Sequence, residues 1–271
     1  MPLSRAQEAY LKERHYVSVP FAVSESVLNG AMAAFFKFFD LPEGVKNHIR
    51  LTIAPKHRRG WVGFTHRDSG EHVYNDSKDF FHYHPAILEE YPDFIKENPV
   101  VQDFIAKAHP IWEEMAIVTK DVLSTFEKDF PGAVDRVFDT KWPFVVLRFL
   151  KYNWQESGKY LAKPHFDAGS FTFAIKESCA GLRIGSGPDD LKPVEHQPGH
   201  ALFMCASNMK KVIDTEELKP GWHDVVQLDD TQVGKPYARW ALVAFIEAHG
   251  VEALSRSETH KHYKIPSAEV S

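Results

Sequence analysis

Cysteine is scarce: the 271 residues contain two, Cys179 and Cys205. A single pair gives no disulfide framework and neither zinc-ribbon nor redox spacing. A reducing, cytoplasmic setting is therefore the expectation. Long hydrophobic runs are missing too. The longest apolar stretches fall far short of the ~18–20 residues that a membrane span needs. The start, Met1-Pro-Leu-Ser-Arg-Ala-Gln-Glu, has no apolar segment of the signal-peptide kind. Nor is positive charge in excess, since 32 Lys and Arg against 37 Asp and Glu leave −5 with His counted neutral. Such a chain lacks the broad basic face that phosphate backbones require. Neither nucleic acid nor a membrane is an expected partner. No internal repeat and no low-complexity segment is visible.

What the chain has is material for a large core. Apolar residues make up 44% and aromatics 13%, including 20 Phe, which excludes disorder over the whole length. The length suits one domain, or one core with a helical annex. Ser24 reads as a helix N-cap, followed by Leu28, Ala31, Phe35 and Phe38 at helical spacing. Leu41-Pro42 ends that helix. Residues 50–85 read as loop-like and dense in polar aromatics. Residues 100–129 give the longest helical stripe, with Pro110 a place for a kink and Pro131-Gly132 a stop. After about residue 140 short β-rich runs take over: Phe144–Tyr152, Phe171–Ile175, Leu182–Ile184, Ala201–Cys205, Val225–Leu228 and Trp240–Ile246. Many short strands at close spacing point to a sandwich or a jelly-roll barrel. The expectation is a helical part over 1–140, a β core over 141–250 and a polar, loosely held tail over 251–271.

The 15 His invite a search for metal ligands. Pro164-His165-Phe166-Asp167 is the strongest signal, because residues i and i+2 of a strand share a face. An imidazole and a carboxylate need one more His to complete the facial triad of non-haem Fe(II) sites, which leaves three coordination positions open. A bare His-x-Asp also arises by chance, as a strand-end His bonded to a nearby carboxylate. Two His follow downstream. His223, behind Pro220-Gly221-Trp222, is preferred; His200, directly after Pro198-Gly199, reads as a surface turn residue. Arg239 is a lone cation within Tyr237-Ala-Arg-Trp-Ala-Leu-Val-Ala-Phe245. A buried Arg needs an anionic partner. That partner is either an internal Asp or Glu, or a dicarboxylate held in bidentate fashion.

These segments, taken in order, resemble the isopenicillin N synthase-like branch of the 2-oxoglutarate/Fe(II)-dependent oxygenases. The resemblance is carried by Ala34-Phe-Phe-Lys-Phe-Phe-Asp-Leu-Pro-Glu-Gly-Val-Lys46, Arg59-Gly-Trp61, Asp76-Ser-Lys78-Asp-Phe80 and Leu147-Arg-Phe-Leu-Lys-Tyr152. It continues through His165-Phe-Asp167, Gly181-Leu-Arg-Ile184, Pro198-Gly199 with Ala201-Leu-Phe-Met204, His223-Asp-Val and Arg239-Trp-Ala241. It spans roughly residues 10 to 249. It implies a mainly β fold with accessory helices, a double-stranded β-helix or jelly-roll barrel. It implies His165, Asp167 and His223 as catalytic metal ligands, and Fe(II), 2-oxoglutarate and O2 as the reacting set. It implies Arg239 as the anchor for the distal carboxylate of 2-oxoglutarate. Tyr152 matches a tyrosine that often bonds the same carboxylate, and reads equally well as an ordinary barrel aromatic. Two positions depart from the pattern: Ala241 stands where the family usually has Ser, and Leu150 where it has Asn.

The activity implied is hydroxylation of an aliphatic C–H of a small molecule, with release of succinate and CO2. The acidic ligand Asp167 favours hydroxylation over halogenation, because halogenating relatives carry a small residue there. Arg58, Arg59, His66, Arg67, His82, Tyr83 and His84 make the loop-like segment rich in cations and aromatics. Of these, Arg59, His82, Tyr83 and His84 are candidates to hold a carboxylate-bearing substrate such as a free amino acid. Competing readings are an Fe(II) oxidase that uses no 2-oxoglutarate, a cupin-like zinc or iron hydrolase or lyase, and a non-catalytic jelly-roll binding protein.

Overall fold

The computed structural model describes residues 1–56, 60–67, 77–154, 158–228 and 234–265. Helix α1 (Arg5–Arg14) starts at a capping box in which Ser4 and Gln7 satisfy each other's backbone amides. Strand β1 (Val17–Pro20) leads to α2 (Glu25–Phe39), whose N-cap is Ser24 as its position before the apolar stripe predicts. Leu28, Ala31, Phe35 and Phe38 form the buried stripe of α2. After α3 (Glu43–Lys46) come three strands, β2 (Arg50–Thr52), β3 (Trp61–Arg67) and β4 (Lys78–Tyr83). The expectation of loop over 50–85 fails here. Every residue of β4 is buried, its polar members included, and so it lacks the polar-out alternation that marks a half-exposed strand.

Short helices α4 (Ala86–Glu90) and α5 (Pro92–Glu97) precede the long α6 (Pro99–Ser124), which runs through Pro110. Helix α7 (Asp135–Phe138) ends this part. The remaining strands are β5 (Val145–Tyr152), β6 (Tyr160–His165), β7 (Phe171–Glu177), β8 (Leu182–Gly185), β9 (Lys192–Pro193), β10 (His200–Cys205), β11 (Trp222–Val226) and β12 (Arg239–Ile246). Five of the six expected strands sit within two residues of their reading; β11 begins three residues early and so takes in His223.

The strands form two antiparallel sheets. The larger has the order β1-β10-β7-β12-β5-β4-β3-β2, and the smaller β6-β11-β8-β9. Four strands of the larger sheet come from before residue 140, so the helical part and the β core are not successive in sequence. Together the sheets make the jelly-roll architecture, mainly β with helices outside.

Period-two alternation divides the larger sheet into two unlike faces. Leu147 and Phe149 of β5, Leu242 and Ala244 of β12 and Phe81 of β4 face the helices, where Phe149 packs on Phe35 and Phe104 with ring centroids 5.8 and 4.9 Å apart. Leu150, Tyr152, Ala174 and Ala241 face the smaller sheet and join Leu161, Leu182, Ile184 and Val225 in a second cluster. Phe173 and Trp240 belong to the helix-side core.

The described part of the tail, 251–265, is not loose. Ser255 caps α8 (Arg256–His262) with a second capping box, to Glu258. Thr259 and His260 are buried, and the Tyr263 hydroxyl donates to the Ser207 carbonyl at 3.0 Å. The polar composition of this segment conceals the docking because it rests on aromatic edges rather than an apolar stripe. Among the described residues no helix is long and apolar enough to cross a membrane.

Candidate functional site

His165 closes β6, and His223 lies directly opposite it on β11. Cross-strand neighbours on one face stand close, and the two rings are 4.4 Å apart between centroids. Asp167 follows two residues after His165, in the turn toward β7. Its carboxylate accepts a hydrogen bond from Thr172 Oγ1 at 2.8 Å. The His165 Nε2 lies 3.6 Å from Asp167 Oδ1, and the His223 Nε2 3.5 Å from Oδ2. One ligand atom from each residue falls within 4.8 Å of the others.

The tautomers follow from the backbone. His165 Nδ1 donates to the Lys163 carbonyl at 2.7 Å, and His223 Nδ1 to the Gly221 carbonyl at 3.0 Å. A carbonyl only accepts, so in each neutral ring the proton sits on Nδ1 and the Nε2 lone pair points toward the carboxylate. Two lone pairs facing a carboxylate repel unless a cation stands between them. Burial, and next the neighbouring His223, hold the His165 imidazole below its ordinary pKa and so favour the unprotonated ligand form. Two nitrogens and one carboxylate on one side of a point are the donor set of a non-haem ferrous site. The backbone acceptors on each Nδ1 are the outer partners that fix such ligands.

Aromatic residues adjoining the ligands in sequence brace the site from behind. Phe166 packs edge-on against Trp222 at 4.8 Å and against Tyr263 at 5.3 Å, and Trp222 meets His260 at 5.6 Å. The C-terminal helix thus backs the segments that carry all three ligands.

In front of the triad a pocket of about 610 Å³, open mouth included, separates the two sheets. Its far wall is the pocket face of the larger sheet. Arg239, Tyr152 and Lys78 sit side by side across β12, β5 and β4. The Arg239 guanidinium is 3% exposed and 5.9 Å from the Tyr152 ring. Burial lowers its pKa to about 10, still charged at neutral pH. It is already partnered: Nη2 binds the Glu177 carboxylate, and Nε donates to the Cys179 carbonyl at 3.2 Å. The structure therefore brings Tyr152 and Arg239 into one pocket with His165, Asp167 and His223, and adds an internal acid beside Arg239. His200, the alternative ligand, is at the start of β10 with Nδ1 bonded to the Pro198 carbonyl at 3.1 Å.

Of the four substrate candidates, the three that are described, His82, Tyr83 and His84, do not line the pocket. Arg59 lies outside the described residues, as does Arg58. His82 is buried beside Arg148, its register partner on the same face of the sheet: Nδ1 donates to the Trp61 carbonyl at 3.1 Å, and Nε2 accepts from Arg148 Nε at 2.8 Å. Tyr83 points the other way, as its neighbour position in the strand requires. Its hydroxyl meets His109 Nδ1 at 2.8 Å in the helix-side core. His84 is fully buried between the Pro143 carbonyl and the Ala86 amide. Tyr83 and His84 are structural here.

Sequence reasoning passes over Arg148 and Glu177. Arg148 lines the pocket about four residues along β5 from Tyr152, roughly 13 Å at strand rise. It is sandwiched between the Phe80 and Phe245 rings at 4.5 and 4.4 Å. The rule that singles out Arg239, a lone cation in an apolar strand, applies equally to Leu147-Arg-Phe149.

No family profile matches the sequence, and no curated protein matches it. Solved structures do. The chain is similar to a full-length protein of Neurospora crassa, solved in complex with alpha-KG and 5-formyluracil, at 14% identity and a TM-score of 0.68. The alignment covers 96% of this chain and 88% of that one. It is similar to a 2OG-Fe(II) oxygenase family protein of Caulobacter crescentus at 16% identity, TM-score 0.65 and 97% coverage of both chains. It is similar to the dioxygenase for auxin oxidation 1 of Arabidopsis thaliana, solved with 2-oxoglutarate, at 16% identity and TM-score 0.64, covering 97% of this chain and 92% of that one. At such identities the likeness establishes the fold, a jelly roll shared over nearly the whole length, and function must be argued from the site.

Proposed function

We propose that this protein is an Fe(II)- and 2-oxoglutarate-dependent oxygenase that hydroxylates an aliphatic C–H of a small carboxylate-bearing molecule, with release of succinate and CO2. The observation that carries this reading is the convergence of two Nε2 lone pairs and the Asp167 carboxylate within 4.8 Å, in a pocket whose far wall holds a buried arginine. His165, Asp167 and His223 would hold the iron. Iron with a bound 2-oxo acid supplies O2 activation and C–H oxidation; the protein supplies positioning and exclusion of water. Neighbours solved with alpha-KG and with 2-oxoglutarate support the cosubstrate assignment.

Within this reading each residue has a task. Lys163 and Gly221 carbonyls keep the two imidazoles in the ligating tautomer. Thr172 fixes the Asp167 carboxylate. Arg239 receives the distal carboxylate of the cosubstrate, with Tyr152 and Lys78 beside it. Arg148 takes the substrate's carboxylate, its guanidinium plane set by the flanking rings and by His82, which acts as a positioning residue. An amino acid or a similar small acid fits that anchor. The test is a panel of free amino acids and other small carboxylates, scored for O2 uptake coupled to succinate. Coupled turnover with a carboxylate, with its KM raised about tenfold in Arg148→Ala, supports the assignment; turnover of neutral molecules alone, unaffected by that change, overturns the substrate class.

One observation favours a second reading. Arg239 is paired with Glu177 inside the protein, which suits an Fe(II) oxidase that needs no 2-oxoglutarate. O2 consumption without succinate would select it.

A further inference from the structure

Strand β7 should alternate regularly. Thr172 stands opposite Phe245 and Ala174 opposite Val243, all four lining the pocket. Unbroken alternation would turn Lys176 inward and Glu177 away. Instead the pairing with β12 slips between Leu242 and Val243, which makes Ile175 an extra residue. A bulge of this kind re-aims the side chains that follow it. Lys176, still at the border of the pocket, reaches Glu25 at the start of α2. Glu177 lands opposite Ala241, and its carboxylate takes Arg239 Nη2.

The placement has a consequence for ligand binding. The Arg239 guanidinium is buried, with Nε committed to the Cys179 carbonyl. Glu177 is 9% exposed at its side chain, and Ala241 beside it offers no polar group. A second carboxylate brought to Arg239 while Glu177 stayed would find Nη2 and Nε already committed and an anion beside it, a repulsion that Lys78 on the far side of Tyr152 offsets only in part. The entering carboxylate must exchange with the resident one. On its other side Glu177 Oε1 lies 3.4 Å from His196 Nδ1. That buried nitrogen makes no hydrogen bond among the described residues, while His196 Nε2 is tied to the Ala174 carbonyl at 2.8 Å. With its hydrogen given to that carbonyl, the neutral His196 ring presents only a lone pair to Glu177 and does not hold its carboxylate in place.

We propose that Glu177 is a built-in competitor for the cosubstrate: it occupies Arg239 until the distal carboxylate of a 2-oxo dicarboxylic acid displaces it, and so sets cosubstrate affinity and selectivity. This rests on the oxygenase reading above. The test is an anaerobic calorimetric titration of Fe(II)-loaded wild type and Glu177→Gln with 2-oxoglutarate. 2-Oxopentanoate, which has the same chain length and no distal carboxylate, is titrated in parallel. Glu177→Gln should tighten 2-oxoglutarate about tenfold, equivalent to ~1.4 kcal/mol, and leave 2-oxopentanoate unchanged. Should that variant fold poorly, Glu177→Asp, which withdraws the charge by one methylene, should move 2-oxoglutarate in the same direction by a smaller factor. Equal or weaker binding of 2-oxoglutarate in the folded variants overturns the proposal, as does an equal gain for both acids. A wild type that binds iron but neither acid overturns the cosubstrate reading itself, and the competition with it.

Discussion

The two faces of the larger sheet are built from the same strands and have opposite chemistry. On the helix side Leu147, Phe149, Leu242 and Ala244 share one apolar core with Phe35 and Phe104 of α2 and α6, interrupted by the buried Lys151–Asp79 pair. On the pocket side, one residue along in each strand, Arg148, Tyr152, Arg239 and Phe245 alternate cation and ring. A strand buried on both sides reads as continuous core, yet half of its side chains turn toward a pocket. The two arginines of the pocket face each have a specific support: Glu177 for Arg239, flanking rings and His82 for Arg148. Changes on one face should act on stability and on the other on binding.

The largest expected effect is on the smaller sheet, across the pocket. His165→Ala, Asp167→Ala or His223→Ala should abolish Fe(II)-dependent turnover and iron retention in a protein that stays folded. Full activity in His223→Ala would move the third ligand elsewhere. On the helix face, Phe149→Ala should cost about 3–5 kcal/mol, the usual loss for a large aromatic removed from a packed core. Urea unfolding reads it, and iron binding by the folded protein should be unchanged. A loss below ~1 kcal/mol would mean the helix layer repacks freely.

A smaller effect separates buried structural histidine from site histidine. Burial holds the His84 imidazole down to about 4, against ~6.5 for the unfolded chain. Between those values the unfolded state takes up a proton that the folded state does not. Stability is therefore full above the unfolded value and is lost as pH falls from about 7 toward 4, by an amount of order 1–3 kcal/mol. A pH series of unfolding midpoints should show this slope, flatter in His84→Gln; an identical slope in that variant would assign the effect to other histidines.

How much could be read from the sequence divides along the same lines. Helices α2 and α6 and most core strands announce themselves by period. The triad is legible because His165 and Asp167 fall two apart in a strand, and Arg239 because a cation in an apolar run demands a partner. Strands β2 to β4 are not legible, since Lys78-Asp-Phe-Phe-His-Tyr83 carries polar residues on both faces and is buried all the same. Alternation inside that strand puts His82 beside Arg148 and sends Tyr83 into the core, a distinction that needs the strand to be recognised first. Glu177 is illegible for a different reason: its direction depends on a register slip at Ile175, and no residue type marks it. The docking of α8 depends on Phe166 and Trp222, which adjoin the ligands in sequence but reveal their partner only in three dimensions.

The central claim is that the triad takes ferrous iron and the facing wall takes a 2-oxo acid on it. The most direct measurement is the visible spectrum of the anaerobic protein loaded with Fe(II), before and after 2-oxoglutarate, for wild type and His223→Ala. The account predicts a weak charge-transfer band of the chelated 2-oxo acid in the wild type and none in the variant. Iron bound by the wild type with no band on adding 2-oxoglutarate, or a band that survives loss of His223, would contradict it.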